Sequence, residues 1–438
     1  MTKKIIISIS LIILALFIGC SQKEQIQQID VMNYDITLGF PSPREIAISA
    51  IVSCNVPGNT SQIEFLLNPA VSIHSIRMQH NETWTEVSFD RNETAIQLSI
   101  PDSLATIDPT IRFDYIFPLE QPLGNFFYID RGYRWYPLII DDVAKVRIAA
   151  TVFQGYSMFS CGDLVDERVT DNRSTYVWET QIPVFKIPVV LIMDNNYTEV
   201  STPCADSEIS FYVLNENPET DPHIAGEACA MFNFCESMIG TYPHKKLTFI
   251  ETATFNDMSF IASGLVLIGS DIMGQFRQRQ TQGLHLPIAM QWFGSGVFAT
   301  FQDDGFWFFS LSLPHYVRLM AVQRFEGNEA FTKGLSGPYD MYLVYADTDD
   351  DIPVVDVDML DSPAKGYAIT GKGPLIFDRL RREIGEEQWV KFLQDLYANY
   401  IGKTMTYEEF IDDLSDFADP KLVKKFDKMI RSKGELRQ

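Results

Sequence analysis

The chain holds six histidines, at positions 74, 80, 223, 244, 285 and 315. Imidazole is the common side chain for metal ligation and for proton transfer near neutral pH. His285 and His315 flank the adjacent carboxylates Asp303 and Asp304. Two imidazoles and a carboxylate make a ligand set for a catalytic zinc, so His285, His315 and Asp304 form one candidate site. The competing reading makes both histidines ordinary polar residues at helix ends. His74 and His80 have no partner pattern. The run Asp347-Thr348-Asp349-Asp350-Asp351 has the flavour of a calcium loop. Its sixth position is Ile352 rather than Gly and its twelfth is Asp358 rather than Glu, so it is not an EF-hand. A solvated acidic loop is expected, with loose calcium at Asp347, Asp349 and Asp351 as the alternative. No G-x-S-x-G elbow, P-loop or full G-x-G-x-x-G occurs. The aromatic run Phe306 to Phe309 fits core packing better than the floor of a ligand cleft.

These residues sit in a chain of 438 residues that is 46% hydrophobic and carries a formal net charge of −23. Such a composition supports a sizeable core and two or three domains. The acidic balance repels phosphate backbones, which argues against nucleic-acid binding. The N-terminus reads as an export signal. Lys3 and Lys4 precede an apolar run, Ile5 to Ile18, too short for a comfortable transmembrane span. The run ends Phe17-Ile18-Gly19-Cys20 and then turns polar. This resembles a lipoprotein lipobox, with Cys20 acylated as the first mature residue; Phe17 departs from the usual Leu. The expected body lies in the cell envelope, outside the cytoplasm, anchored to a membrane through lipid. Residues 1–20 would be the signal, and the Gln-rich stretch 21–30 a tether. Five further cysteines, Cys54, Cys161, Cys204, Cys229 and Cys235, leave at least one thiol unpaired, and spacing assigns no bridge.

Residues 31–214 read as a β-sandwich or saddle. Runs such as Ile46-Ala47-Ile48-Ser49-Ala50-Ile51-Val52 alternate apolar and small or polar residues, as half-buried antiparallel strands do. The Pro-containing stretch 215–222 suggests a boundary. Residues 215–438 read as an α+β, mainly helical domain. Helical spacing runs through Ala228, Met231, Phe232 and Cys235, and again from Phe377 to Tyr400. Strands are expected at 247–251 and 265–268. Thr406 to Glu409 has capping-box spacing, and Asp419-Pro420 pairs an N-cap with an N1 proline.

Several local words resemble one family. Trp135-Tyr136-Pro137-Leu138, Gly155-Tyr156, Ser160-Cys161-Gly162-Asp163-Leu164-Val165 and Thr175-Tyr176-Val177-Trp178-Glu179 are similar to the β-domain of zinc aminopeptidases of the alanyl-aminopeptidase and leukotriene-A4-hydrolase type. Gly240-Thr241-Tyr242-Pro243-His244-Lys245 is similar to the opening of their catalytic, thermolysin-like domain. Gln291-Trp292-Phe293-Gly294 is the most specific, because in the family it follows the zinc helix as HExxHQWFG. The resemblance implies a gluzincin fold with an altered site. Leu286 and Met290 stand where the two histidines belong, and Pro287 where the general base belongs. In the WLNEGFA-like word, Phe309 replaces the third ligand. In the GAMEN word, Ile261 replaces the glutamate that grips the substrate amine. Near the YEKG-like word, Thr370 stands for the transition-state tyrosine. Apolar groups in a former zinc site avoid burying unpaired charge.

This reading expects no catalytic residues, no zinc and no other cofactor. It expects a lipid-anchored, peptidase-like protein that binds a peptide or an envelope protein in the former cleft. Two alternatives remain: a hydrolase with a relocated site at His285, His315 and Asp304, and a structural envelope lipoprotein.

Overall fold

The computed structural model describes residues 29–56, 60–80, 82–100, 108–170, 172–254, 259–301 and 303–436. The export segment, Cys20 and Met258 lie outside the described residues. Two cores organise the rest, an N-terminal β-rich half and a C-terminal half built on helices.

The first half follows from period-two patterning. In the strand Glu45–Asn55 every second side chain is buried: Ile46, Ile48, Ala50, Val52 and Cys54. Eight strands form the main sheet, in the order Asp163–Val169, Arg173–Glu179, Lys145–Phe153, Asp30–Ser42, Glu45–Asn55, Thr110–Pro118, Ser72–His80 and Thr83–Glu86. Two three-stranded sheets complete this half. The pairing is not wholly antiparallel as expected: Asp30–Ser42 runs parallel to Lys145–Phe153, with Ile36 opposite Ile148. A parallel neighbour can arrive only by a long crossover, and alternation along a strand says nothing about its partner's direction. The tether also ends sooner than expected. Ile29 is buried, and Asp30 already opens the first strand.

The second half is nucleated by a five-stranded sheet, Thr198–Cys204, Ser207–Val213, Lys246–Thr252, Leu265–Gly269 and Ser259–Ala262. The strand Lys246–Thr252 is parallel to both neighbours. Its residues Leu247 to Thr252 are all buried, the continuous run that a sheet covered on both faces requires. Phe249, Val266 and Ile268 face the helices, while Ile250, Leu265 and Leu267 join the core of the β half. The hairpin Thr198–Val213 therefore belongs with the second sheet, through its parallel pairing to Lys246–Thr252, although its sequence reads as a continuation of the β half. The core changes hands between Ile192 and Cys204, ahead of the boundary expected at 214.

Among the described residues this half has ten helices: α1 Asp221–Met238, α2 Ser270–Arg277, α3 His285–Ala289, α4 Leu313–Glu326, α5 Asn328–Leu343, α6 Pro363–Tyr367, α7 Gly373–Ile384, α8 Glu386–Tyr400, α9 Tyr407–Leu414 and α10 Pro420–Ile430. A disulfide between Cys204 and Cys229, with Cα atoms 5.5 Å apart, ties the hairpin to α1. Cys235, six residues on, faces the other way into the core; Cys54, Cys161 and Cys235 are free and buried. The expected helical run from Phe377 to Tyr400 is two helices. Gly385, at φ 87°, turns the chain between them, a conformation that a side chain would strain. The capping box at Thr406 and the Asp419 cap form as expected.

Candidate active-site cleft

Helix α3 is a single turn. Pro287 is tolerated there because the first turn leaves its backbone N–H groups without helical partners anyway. Leu286 and Met290, four residues apart, share one face and are half-buried, while Pro287 is buried. The chain then turns through Gln291 to Gly294. Gln291 is a clamp: its Oε1 accepts the Gly264 N–H at 3.0 Å and the Tyr242 hydroxyl at 3.2 Å, and its Nε2 donates to the Ala262 carbonyl at 3.1 Å. That fastens α3 to the edge hairpin carrying Ile261. Trp292 Nε1 donates to the Gly240 carbonyl at 2.7 Å. Gly294 sits at φ 117°, and a Cβ there would lie 3.4 Å from the Ser310 carbonyl and 3.7 Å from the Met290 methyl. Met290 and the turn carrying Phe309 therefore meet across this glycine.

Phe309 lies in a π-helical turn, Phe308–Ser312, that leads into α4. Its ring is buried against Phe410, at 4.7 Å between centroids, and against Tyr407 at 6.1 Å. Phe308 stacks on Phe377 at 4.5 Å. The aromatic run is core, as expected. A second π-helical turn, Ala368–Lys372, packs beside the first. Ser312 Oγ donates to the Ile369 carbonyl at 2.7 Å, and a Cβ on Gly373 would come within 2.2 Å of that oxygen. Thr370 Oγ1 donates to the Gly366 carbonyl one turn back, at 2.9 Å, so its hydroxyl serves its own helix. Ile261 is buried, and its carbonyl accepts Lys186 Nζ from the β half at 3.1 Å.

No family model matches the sequence, and no curated protein matches it. Solved structures do. The M1 zinc metallopeptidase from Deinococcus radiodurans matches with a TM-score of 0.75 at 15% identity, over 93% of this chain and 95% of that one. The fold is that of the M1 zinc metallopeptidases. A point mutant of the Deinococcus radiodurans enzyme bound to a Tyr-Ser-Ala substrate gives 0.74 at 14% identity, over 93% and 95% of the two chains. A two-domain M1 zinc metallopeptidase mutant bound to L-arginine gives 0.75 at 14%, over 94% and 96%. The likeness thus spans both halves of the M1 fold.

Elsewhere in this M1 fold the other sequence candidates separate. His285, on α3, and His315, on α4, are buried at 3% and 9% exposure. Both stand in the first turn of their helices, as the competing reading expected, but their side chains are buried. Arg318 NH2 donates to His315 Nε2 at 2.7 Å, which places a cation where a relocated metal would sit. Asp304 is exposed and faces Arg431 at 3.6 Å, while Asp303 Oδ2 accepts the Tyr407 N–H at 3.1 Å. His285, His315 and Asp304 therefore do not converge. Among the described residues, no group of three or more His, Cys, Asp or Glu is arranged to hold a metal ion.

The acidic run is only partly solvated. Asp347, Asp349 and Asp350 are exposed, but Asp351 is buried. Its carboxylate accepts the Tyr342 hydroxyl at 2.9 Å and the amides of Asp347 and Gly434 at 3.0 and 2.5 Å. It pins the C-terminal segment rather than facing outward as a calcium ligand. Buried Lys372 supports the same knot, donating to Tyr342 Oη at 3.0 Å and to the Ser432 carbonyl at 2.5 Å. Burial pushes its ammonium down to about 8. Lys372 falls in the stretch Thr370-Gly371-Lys372-Gly373 set against the YEKG-like word, though nothing there announces its burial; the only sequence signal for Arg318 is its three-residue spacing from His315 on one helix face.

At the seam between the halves, His244 Nε2 and Ser263 Oγ lie 2.7 Å apart, both buried. Asp163 is nearby, but its Oδ1 accepts the Lys245 N–H at 2.8 Å, so this group fastens the two halves.

Buried titratable groups set a pH dependence. Burial lowers His244 and His285 to about 4, and burial beside Arg318 holds His315 well below the ordinary value of 6.5. Below the ordinary value of 6.5 the unfolded chain takes up these protons and the folded chain does not. Stability is therefore lost as pH falls from 6.5 toward 4. Asp142 acts in the opposite sense. Burial raises its carboxyl to about 7, despite the Tyr34 hydroxyl donating to it at 2.7 Å. Between 3.8 and 7 the folded chain holds that proton and the unfolded chain does not, so Asp142 adds stability on acidification. Asp142→Asn removes this opposition. Between about pH 7.5 and about pH 5.5 the variant should lose about 2 kcal/mol more stability than wild type. Urea unfolding at the two pH values measures it; equal losses would refute the assignment.

Proposed function

We propose that this chain is a non-catalytic relative of the M1 metallopeptidases that binds a peptide, or an extended segment of a protein partner, along the former active-site cleft. The observation that carries the reading is the donor set. Leu286, Pro287, Met290 and Phe309 offer one thioether and no imidazole or carboxylate, which does not fit zinc. Ile261 and Thr370 likewise supply no carboxylate and no phenol. Phe309 is tied into the aromatic core, so the change extends through the packing around it. Half-buried Leu286 and Met290 leave apolar surface on one face of α3, suited to side chains of an extended peptide. No hydrolytic step is assigned.

Export and lipidation at Cys20 belong to the same proposal. The Cys204–Cys229 disulfide supports it, because such bonds persist in oxidising compartments. Cys20→Ser should abolish incorporation of labelled fatty acid and release the protein from membranes.

The test of the main reading uses residues 21–438 purified without chelator. Elemental analysis should find zinc well below about one atom per chain. Aminoacyl-coumarin substrates should not be cleaved, and the double variant Leu286→Asp with Met290→Asp should weaken capture from a peptide array by about tenfold or more. Stoichiometric zinc together with hydrolysis would overturn the proposal; so would peptide capture unaffected by the two aspartates.

A further inference from the structure

The segment Ser432 to Leu436, which follows α10, is neither helix nor strand, yet side chains hold its backbone at every second residue. The Ser432 carbonyl accepts Lys372 Nζ at 2.5 Å. The Gly434 N–H donates to Asp351 Oδ2 at 2.5 Å. The Gly434 carbonyl lies 3.0 Å from the Tyr342 hydroxyl, which has a single proton to share between it and Asp351. The Leu436 N–H donates to Tyr339 Oη at 2.9 Å, and the Leu436 carbonyl accepts Arg379 NH2 at 2.7 Å. These partners come from α5, α7, the second π-helical turn and the acidic run. Burial alternates along the segment: Gly434 and Leu436 are buried, whereas Arg431, Lys433 and Glu435 are exposed.

An extended chain laid on side chains differs from one paired in a sheet. Each of these hydrogen bonds can be exchanged for one to water, and breaking them unravels no helix underneath. Lys372 grips the near end. Its side chain is fully buried, and burial pushes the ammonium down to about 8 although Asp351 and Asp347 pull it up. Those two carboxylates face it from the acidic run. Tyr342, stacked on Tyr339, faces it from α5, and the Ser432 carbonyl from the segment itself.

We propose that Ser432 to Leu436 form a releasable latch over α5 and α7, with Lys372 as its clasp. Release bares the seats of Gly434 and Leu436. It joins them to a neighbouring cavity of about 460 Å³, which shares Tyr339 and Arg379 and continues along the same two helices past Leu335, Ser336 and Arg382. The latch does not rest on the proposed peptide binding. Lifting it returns Lys372 to water, where an amine keeps its proton to about 10.5. Between about pH 8 and about pH 10.5 the closed form therefore holds fewer protons than the open one. Closure tightens as pH rises through that window and loosens below it. Tyr342 sets the upper limit. Burial and Asp351 raise its hydroxyl well above the ordinary value of 10.0, so beyond that value the open form sheds a proton that the closed form keeps.

Trypsin reports the open form, because Arg431 and Lys433 expose their side chains on a backbone that must leave its seat to enter a protease. Residues 21–438 are digested briefly, and chains shortened at Arg431 or Lys433 are counted by intact mass. The rate is divided by that of a free peptide of residues 427–436 at the same pH. This ratio should fall about tenfold from about pH 7 to about pH 9. Gly434→Ala acts on the latch alone. Gly434 sits at φ 77°, and a Cβ there would come within 2.5 Å of Asp347 Oδ1. The variant should raise the ratio about fivefold at both pH values and keep the pH dependence. Lys372→Met should flatten the pH dependence. A wild-type ratio that does not change with pH, or an undiminished dependence in Lys372→Met, would overturn the clasp. A Gly434→Ala ratio equal to that of wild type, or cutting at Arg431 and Lys433 only together with cuts inside α5 and α7, would overturn the latch.

Discussion

Arg277→Met is expected to lower the stability of this protein by about 3–5 kcal/mol. Arg277 ends α2, and its Nε donates to Asp221 Oδ1 at 2.9 Å. Its NH2 reaches Asp221 Oδ2 at 3.3 Å and Glu251 Oε2 at 3.4 Å. The Asp221 and Glu251 side chains are 0% and 3% exposed, and one guanidinium bridges both buried carboxylates. Both carboxylates also hold the segment that leads into α1. Asp221 accepts the Asn217 N–H at 2.7 Å, and Glu251 accepts the Leu214 N–H at 3.1 Å. The substitution leaves two like charges facing each other out of water, which is far worse than the loss of a surface pair. In the variant at least one carboxyl must then hold its proton, so its folded pKa rises. The stability that proton uptake restores is present at low pH and lost as pH rises. The deficit should therefore be smaller near about pH 4.5 than near about pH 7.5. Chemical unfolding at both values checks this. A loss below about 1 kcal/mol would show that the pair is solvated.

Gln291→Leu is expected to have a comparable effect. The side chain is buried and satisfies three groups: the Gly264 N–H, the Ala262 carbonyl and the Tyr242 hydroxyl. Leucine fills similar space and pairs with none of them. Leaving a buried backbone donor and acceptor unmade costs about 1–3 kcal/mol each, for a total of about 3–5 kcal/mol. The damage should be local at first, because Gln291 joins α3 to the Ser259–Gly269 hairpin. Hydrogen exchange at Gly264 should accelerate more than at Phe249 in the sheet interior. Gln291→Glu separates the roles. An ionised glutamate still accepts from Gly264 and Tyr242 but repels the Ala262 carbonyl, and protonation restores the missing donor. That variant should recover on acidification while Gln291→Leu does not; identical pH profiles for the two would refute the clamp.

The Gln291 clamp also explains why Gln291-Trp292-Phe293-Gly294 is so legible a word. Its residues are held by the architecture: Gln291 by two backbone groups, Trp292 by the Gly240 carbonyl, and Gly294 by its left-handed backbone and the nearby Met290. None of these roles requires a metal. The word can thus persist beside residues that offer zinc no imidazole or carboxylate.

Much of this protein was determined locally and could be read from the chain alone. Period-two burial marks Glu45–Asn55 as a strand because alternate side chains of a pleated strand point to opposite faces. The Thr406 capping box and the Asp419 cap form because each satisfies its own helix within a few residues. The two-domain M1 fold was legible through the order of these elements and their words. What the tertiary structure decided were partnerships. Alternation gives the hairpin Thr198–Val213 a buried face but not the sheet it joins. Five cysteines permit many pairings, and only the approach of that hairpin to α1 selects Cys204 with Cys229. An acidic run looks solvated until Asp351 meets Tyr342 and the Gly434 amide from the end of the chain. Three candidate ligands at 285, 304 and 315 read as one site until packing sets His315 against Arg318 and His285 against Phe325 and leaves Asp304 outside with Arg431. Local structure depends on neighbours a few bonds away, whereas charge balance and site assembly depend on groups brought together only when the two cores close.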